Sequence, residues 1–248
     1  MYNPRSNGPF GGSPFGGRNA FGSRYQYQTM ASGYSEVQAS GLIGKVMGLL
    51  AFSFIFASLG AFVGIAFLHL TFGTYLFVAI AGLVVLIALN FLIQKPGINL
   101  FLLYLFTFLE GLSLSPLLGA YIQTDPYILG EAFLITALTS LALALYSWTT
   151  KRDFTHLGDY LFLGVILLLV AGIVGIFFHS TLFALIISVV GIAIFSGYVL
   201  YYVQRAKYMA DTMPNAIGLT VSIFITVLNL FLYILELLSI LQGNNRRR

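Results

Sequence analysis

Long apolar runs separated by short polar breaks fill the chain from residue 41 onward. Seven runs stand out, at 41–70, 74–93, 99–122, 132–149, 160–178, 182–203 and 216–241. Each is close to the length a helix needs to cross a hydrocarbon core, about 20 residues for about 30 Å. The runs are apolar on all sides and do not alternate, which predicts helices and not the strands of an outer-membrane barrel. Turn-forming and charged residues punctuate them: Lys95-Pro96-Gly97, Asp125-Pro126, Lys151-Arg152-Asp153, His179-Ser180 and 211–215. The fold class read from this pattern is all-α, a polytopic membrane protein with seven transmembrane helices over residues 36–248. Residues 36–45 lead into the first run as an interfacial turn. Residues 1–35 differ, being rich in Gly, Ser, Asn, aromatics and Arg, with Pro4, Pro9 and Pro14 and no apolar stretch. They are predicted to be a disordered, weakly basic tail without the apolar segment of a cleavable signal peptide.

Composition sharpens the picture. Hydrophobic residues make up 58% of the chain and charged ones 8%, against about 25% charged in a soluble domain. So little charge cannot coat a water-facing surface, and the reading has no place for a nucleic-acid partner. The absence of Cys removes disulfides, thiolate metal sites and cysteine nucleophiles. The three His (His69, His156 and His179) are too scattered for a HExxH-type zinc motif and are placed at span ends or in a loop. None is deep enough to activate Ser113 or Ser115 as a nucleophile. The expectation is therefore no enzyme, no metal and no cofactor. The seventh run has no Lys for a retinal Schiff base.

Lys and Arg counted by side set the orientation. With the N-terminus inside, the cytoplasmic side receives Arg5, Arg18, Arg24, Lys45, Lys95, Lys151, Arg152, Arg205 and Lys207, and the outer side only Arg246, Arg247 and Arg248. N-in, C-out follows. A re-entrant final segment, returning the triple Arg to the cytoplasm, is the competing arrangement.

Ionisable side chains at bilayer depth are hypotheses about function by default. Glu110 lies 11 residues past Asn99, about 16 Å at 1.5 Å per residue, and so near the midplane. Lys45 can snorkel to the surface, and Glu236, 20 residues beyond Ala216, falls at the outer interface. Around Glu110 the sequence Glu110-Gly111-Leu112-Ser113-Leu114-Ser115-Pro116 breaks helical regularity: Pro116 cannot donate to the Leu112 carbonyl, and Gly111 removes bulk beside the acid. In the last run Thr226 and Asn229 are three residues apart on one face, at similar depth. Tyr202 and Gln204 close the sixth run and Asn90 ends the second. These residues suggest a cavity open to the cytoplasm, lined by Glu110, Ser113, Tyr202, Thr226 and Asn229, that moves or senses cations or protons. Gly60 and Gly64 form a GxxxG, which in so Gly-rich a chain is weak evidence for a helix-packing face.

Taken together, these segments resemble the Bax inhibitor-1 family, also called the transmembrane BAX inhibitor motif family. Thr149-Thr150-Lys151-Arg152-Asp153-Phe154 with Leu157-Gly158 and Leu161-Phe162 is similar to its loop between spans four and five. Residues 110–115 are similar to its EGLSLS element, Asn229-Leu230-Phe231-Leu232 to its NLFL, and 201–205 to its YDTQR. The resemblance covers about residues 40–241 and implies seven helices, a cytoplasmic N-terminus and a pH-sensitive calcium leak gated by an aspartate pair. Here Tyr202 and Thr226 stand where those aspartates would be, so the dyad does not carry over. What does carry over is Glu110 and the loop motif Lys151, Arg152 and Asp153, read as a positively charged anchor with a turn, or as a latch. The functions implied are a cation leak, with calcium or protons as the ions, or ion homeostasis under stress. The alternative is an interaction protein whose N-terminal tail is grasped by a membrane-anchored AAA protease. The lipid bilayer is the one partner common to both, and the bacterial inner membrane is the expected location.

Overall fold

The computed structural model describes the backbone of residues 19–68, 72–177 and 180–245. Helices α1 (Asn19–Val63), α2 (Phe72–Leu92), α3 (Ile98–Thr124), α4 (Pro126–Thr149), α5 (Gly158–Phe177), α6 (Thr181–Ala206) and α7 (Met213–Asn245) follow one another, with a π-helical turn after α1 and a 3-10 turn before α5. All seven are long and apolar enough to cross a membrane. This is an integral membrane protein of seven helices, as the run pattern predicts.

The differences lie at the boundaries. α4 begins at Pro126 and not at residue 132, because a proline in the first turn gives up an N–H that has no helical partner there anyway. The helical backbone of α1 reaches back to Asn19, into the segment expected to lack regular structure. A helix extended from an existing span needs no new nucleus. The remainder of the expected protease handle (residues 1–18) lies outside the described residues, as do His69, His179 and Arg246 to Arg248. α7 is one unbroken helix, so its backbone does not have the hairpin that a re-entrant segment requires.

α7 packs against α1, α3, α4 and α6, while α2 packs on α3, and α5 on α6. Its first half, with Ala216, Ile217 and Phe224, is buried among Leu42 and Val46 of α1, Leu89 of α2 and Phe106 of α3. Its second half, with Leu230, Phe231 and Ile234, is buried among Ile128 and Ala132 of α4, Leu168 of α5 and Phe195 of α6. Lipid tails are as apolar as these side chains, so close packing and not burial holds the helices together. Exposed Phe77, Phe91, Phe101 and Leu167 are correspondingly ordinary on the lipid side.

The tightest contact is α1 on α3. A methyl group added at Gly60 would collide with the Phe108 carbonyl oxygen, one at Gly111 with the Ala57 carbonyl oxygen, and one at Gly64 with the Ser115 side chain. The GxxxG therefore marks a real packing face. Gly111 makes room for α1, not for the acid next to it. α3 runs through Pro116, and the Leu112 carbonyl freed by the proline accepts a hydrogen bond from Ser115 Oγ at 2.8 Å. The helix thus satisfies the freed carbonyl from within its own turn. At the end of the bundle that carries Lys95, Lys151 and Arg205, Lys45 Nζ pairs with Asp211 Oδ1 at 2.9 Å and ties α1 to the α6–α7 loop. We call this the basic end.

Candidate functional site

Because α2 leans on α3 and α5 leans on α6, a gap opens between the two pairs in front of α7. It is a cavity of about 740 Å³ whose lining extends from Ile93 near the basic end to Ile176 near the opposite end. α7 contributes Ser222, Thr226, Asn229 and Tyr233, spaced by three or four residues so that they fall on one helical stripe. α6 contributes Phe195, Tyr198 and Tyr202, and α2 contributes Asn90.

The polar lining has a consistent hydrogen-bond direction. Asn90 Nδ2 donates to the Leu86 carbonyl at 2.9 Å and Asn229 Nδ2 to the Ile225 carbonyl at 2.8 Å. Ser222 Oγ donates to the Gly218 carbonyl at 3.0 Å and Thr226 Oγ1 to the Ser222 carbonyl at 2.7 Å. Tyr202 of α6 and Ser222 of α7 both line the cavity. The Ser222 and Thr226 hydroxyls and one N–H of each amide are thus turned back onto the helices, which leaves lone pairs on the oxygens of these four side chains. The second N–H of each amide and the hydroxyls of Tyr198, Tyr202 and Tyr233 are donors as well, so the lining is polar and uncharged.

Of the residues expected in one pathway, the structure brings Tyr202, Thr226 and Asn229 together on this cavity. Glu110 and Ser113 are not with them. Glu110 is half-buried on α3 facing α2, its Oε1 3.4 Å from where a Cβ on Gly82 would sit. Ser113 is buried and donates to the Glu110 carbonyl at 2.8 Å. Glu110 stands about midway along α3, but its bearing around the helix is set by α3 packing on α1 and α2. The acid placed at the centre of the expected pathway lies outside the cavity. Tyr198, Tyr233 and Ser222 are lining residues that sequence reasoning missed. The continuation of the Thr226–Asn229 stripe by three or four residues either way would have found Ser222 and Tyr233.

A second polar assembly holds the α4–α5 loop. Gln204 is buried near the end of α6. Its Nε2 donates to the Arg152 carbonyl at 2.6 Å, and its Oε1 accepts from the Phe154 backbone N–H. Beside it, Ser147 Oγ donates to the Leu200 carbonyl at 2.7 Å. Lys207 Nζ donates to the carbonyls of Ser147 at 2.8 Å and Trp148 at 2.7 Å, placing a cation on the C-terminal end of α4, where the helix dipole favours it. The same ammonium sits 5.2 Å from the Trp148 ring centroid, and burial draws its pKa below the usual lysine range.

The side chains of Lys151, Arg152 and Asp153 are exposed, so the loop is held through its backbone and not through the charges of the motif. Asp153 organises the turn locally. Its Oδ1 accepts from Thr155 Oγ1 at 2.6 Å and Thr155 N at 2.8 Å, and these bonds, helped less by His156, hold the carboxyl below its usual range. With the lower pKa in the folded state, that contribution is complete above the unfolded value and is lost as pH falls through the folded one. Gln204 was accessible to sequence reasoning only as the Gln of the 201–205 motif. The substitution Gln204→Ala, which strands both loop groups, is expected to destabilise the protein by about 1–3 kcal/mol. It should also speed amide exchange at Phe154 while leaving Leu103 on α3 unchanged. Unaltered exchange at Phe154 would show that the amide does not hold the loop.

Comparison with known proteins adds a family. Residues 39–244 match the family model described as inhibitor of apoptosis-promoting Bax1. An uncharacterized protein of Campylobacter jejuni is 34% identical over 214 residues, covering 83% of this chain and 89% of that protein. Mouse protein lifeguard 4 is 30% identical over 161 residues, covering 65% and 66%. A Golgi anti-apoptotic protein of vaccinia virus is 31% identical over 147 residues, covering 59% and 60%.

Proposed function

The chain belongs to the Bax inhibitor-1 family, and from that membership we propose that it serves ion homeostasis by letting cations pass through the cavity between α2, α5, α6 and α7. The inner membrane of a bacterium, with the basic end in the cytoplasm, is the setting we assign to it. The observation that carries this reading is the hydrogen-bond direction of the lining. Asn90, Ser222, Thr226 and Asn229 each spend a donor on their own helices, so each has oxygen lone pairs to offer a cation, and none of the described lining residues carries the positive charge that would attract an anion. Fixed dipoles of this kind cost no reorganisation when the ion arrives, and they act strongly where water is scarce.

Flux from proteoliposomes tests it, with potassium and calcium measured separately and chloride as the control. The full chain should pass cations faster than empty vesicles and chloride no faster. Asn229→Leu removes one oxygen from the stripe and should slow cation flux about tenfold, the effect of about 1.4 kcal/mol at the barrier. Glu110→Gln, outside the cavity, should leave flux within about twofold, a change worth less than 1 kcal/mol. Cation flux no greater than that of empty vesicles overturns the reading.

A further inference from the structure

We propose that the cavity is built for an organic monovalent cation, a quaternary ammonium or comparable amine with apolar substituents, in preference to calcium. This deepens the pathway reading and rests on it for passage across the membrane, though not for binding. The first observation concerns the aromatic wall. Tyr198 and Tyr202 are stacked, with ring centroids 5.5 Å apart and planes inclined by 16°. Phe195 and Tyr233 are stacked at 5.7 Å and 24°. All four rings belong to the lining. Aromatic faces attract cations through the ring quadrupole, and they do so best for ions that lose little hydration on entering, of which quaternary ammonium is the type.

The second observation is what calcium would need. Calcium takes six to eight oxygens, with carboxylates prominent among them. None of the described residues lining the cavity is acidic, and their side-chain oxygens come from neutral groups divided between α2, α6 and α7. These oxygens cannot replace the hydration of a divalent ion, but they suit a diffuse single charge. The third observation is size and access. About 740 Å³ falls in the range of small-molecule sites and is far more than a bare metal ion fills. The α5 side of the cavity is formed by apolar residues such as Leu169, Ile173 and Ile176, which are also exposed on the lipid side. A cation with apolar substituents is therefore soluble along both walls of its entrance. The described lining has no positively charged side chain to hold an anion of the same shape.

The test is binding of radiolabelled tetraethylammonium to the full chain in nanodiscs, with calcium and acetate as competitors. Saturable binding is expected, displaced by neither competitor. Tyr198→Leu and Tyr202→Leu should each weaken it about tenfold, whereas Tyr198→Phe and Tyr202→Phe, which keep the ring, should stay within about threefold. Thermal midpoints of the four variants confirm that the bundle is intact. Leu and Phe variants weakened alike, or tetraethylammonium displaced by calcium at lower concentration, would overturn the assignment. Potassium flux without tetraethylammonium binding overturns it too, and leaves the cation pathway standing. Binding without flux of any cation upholds the site and removes the pathway.

Discussion

The double substitution Tyr202→Asp, Thr226→Asp is expected to turn a pH-indifferent cavity into a calcium site that responds to pH. Both side chains line the same cavity, one from α6 and one from α7, at the two positions where the motif resemblance implies an aspartate pair. Two carboxyls that share a poorly solvated site cannot both ionise at the ordinary carboxylate pKa. They lose protons in two steps, the second pushed upward by desolvation and by the first charge. At low pH the pair is neutral or singly charged and holds calcium weakly, and at higher pH both oxygens sets are available to it. Calcium-45 uptake into proteoliposomes should therefore rise at least tenfold between about pH 6 and pH 8 in the double variant, a change of about 1.4 kcal/mol. The parent chain and either single variant should be flat over the same interval. The raised step also has a stability consequence, because the folded double variant is favoured while its acid stays protonated and loses stability as pH rises. Each acid placed at bilayer depth costs about 2.5–3.5 kcal/mol on insertion scales, so lower yield of the variant is part of the expectation. Uptake that rises without any dependence on pH would count against the shared site.

The second large effect belongs to the α1–α3 crossing. Gly111→Ala brings a methyl group into the Ala57 carbonyl oxygen, and Gly60→Ala brings one into the Phe108 carbonyl oxygen. In each case the obstacle is backbone, which has no rotamer to move aside. The helices must separate, and the contacts on either side of the crossing loosen together. Overpacking costs typically about 1–3 kcal/mol, and an immovable partner puts these two at or above the upper end. For a chain of this size, 1 kcal/mol shifts the thermal midpoint by about 2–4 °C, so about 3 kcal/mol gives an expected loss of about 6–12 °C for Gly111→Ala. Gly48, on α1 with Gly60, provides the comparison, since a methyl there meets nothing within 4 Å. Gly48→Ala should leave the midpoint unchanged or raise it slightly, because Ala is the better helix former by up to about 1 kcal/mol. Equal losses from Gly48→Ala and Gly111→Ala would mean that the crossing is not where stability resides.

These cases show which parts of the molecule are written in the order of its residues. The seven spans are, because a bilayer demands an unbroken apolar length and leaves its mark at every crossing. The common face of Thr226 and Asn229 is also recoverable, since helical spacing alone decides it. Glu110 illustrates the other kind of information. Counting residues gives its depth, but its direction depends on which neighbours α3 packs against. Gly111 shows the same separation: its lack of a side chain is visible in the sequence, and the helix that uses the space is not. Gln204 lies further still from local inference, because the two backbone groups it holds are 50 and 52 residues upstream. The acceptor character of Thr226 and Asn229 is likewise invisible beforehand, since an Asn or Thr reveals its unspent lone pairs only once its donor has found a carbonyl.

The position of α7 at the centre has a consequence for biogenesis. Both apolar clusters draw on it, yet it leaves the ribosome after all six helices it is packed among. Until residues 213–245 are in the bilayer, the first three helices and the next three have each other's company within their groups but no shared axis. Assembly of the bundle is thus deferred until α7 has been made, and a nascent chain stalled before Met213 would lack the helix on which both clusters close.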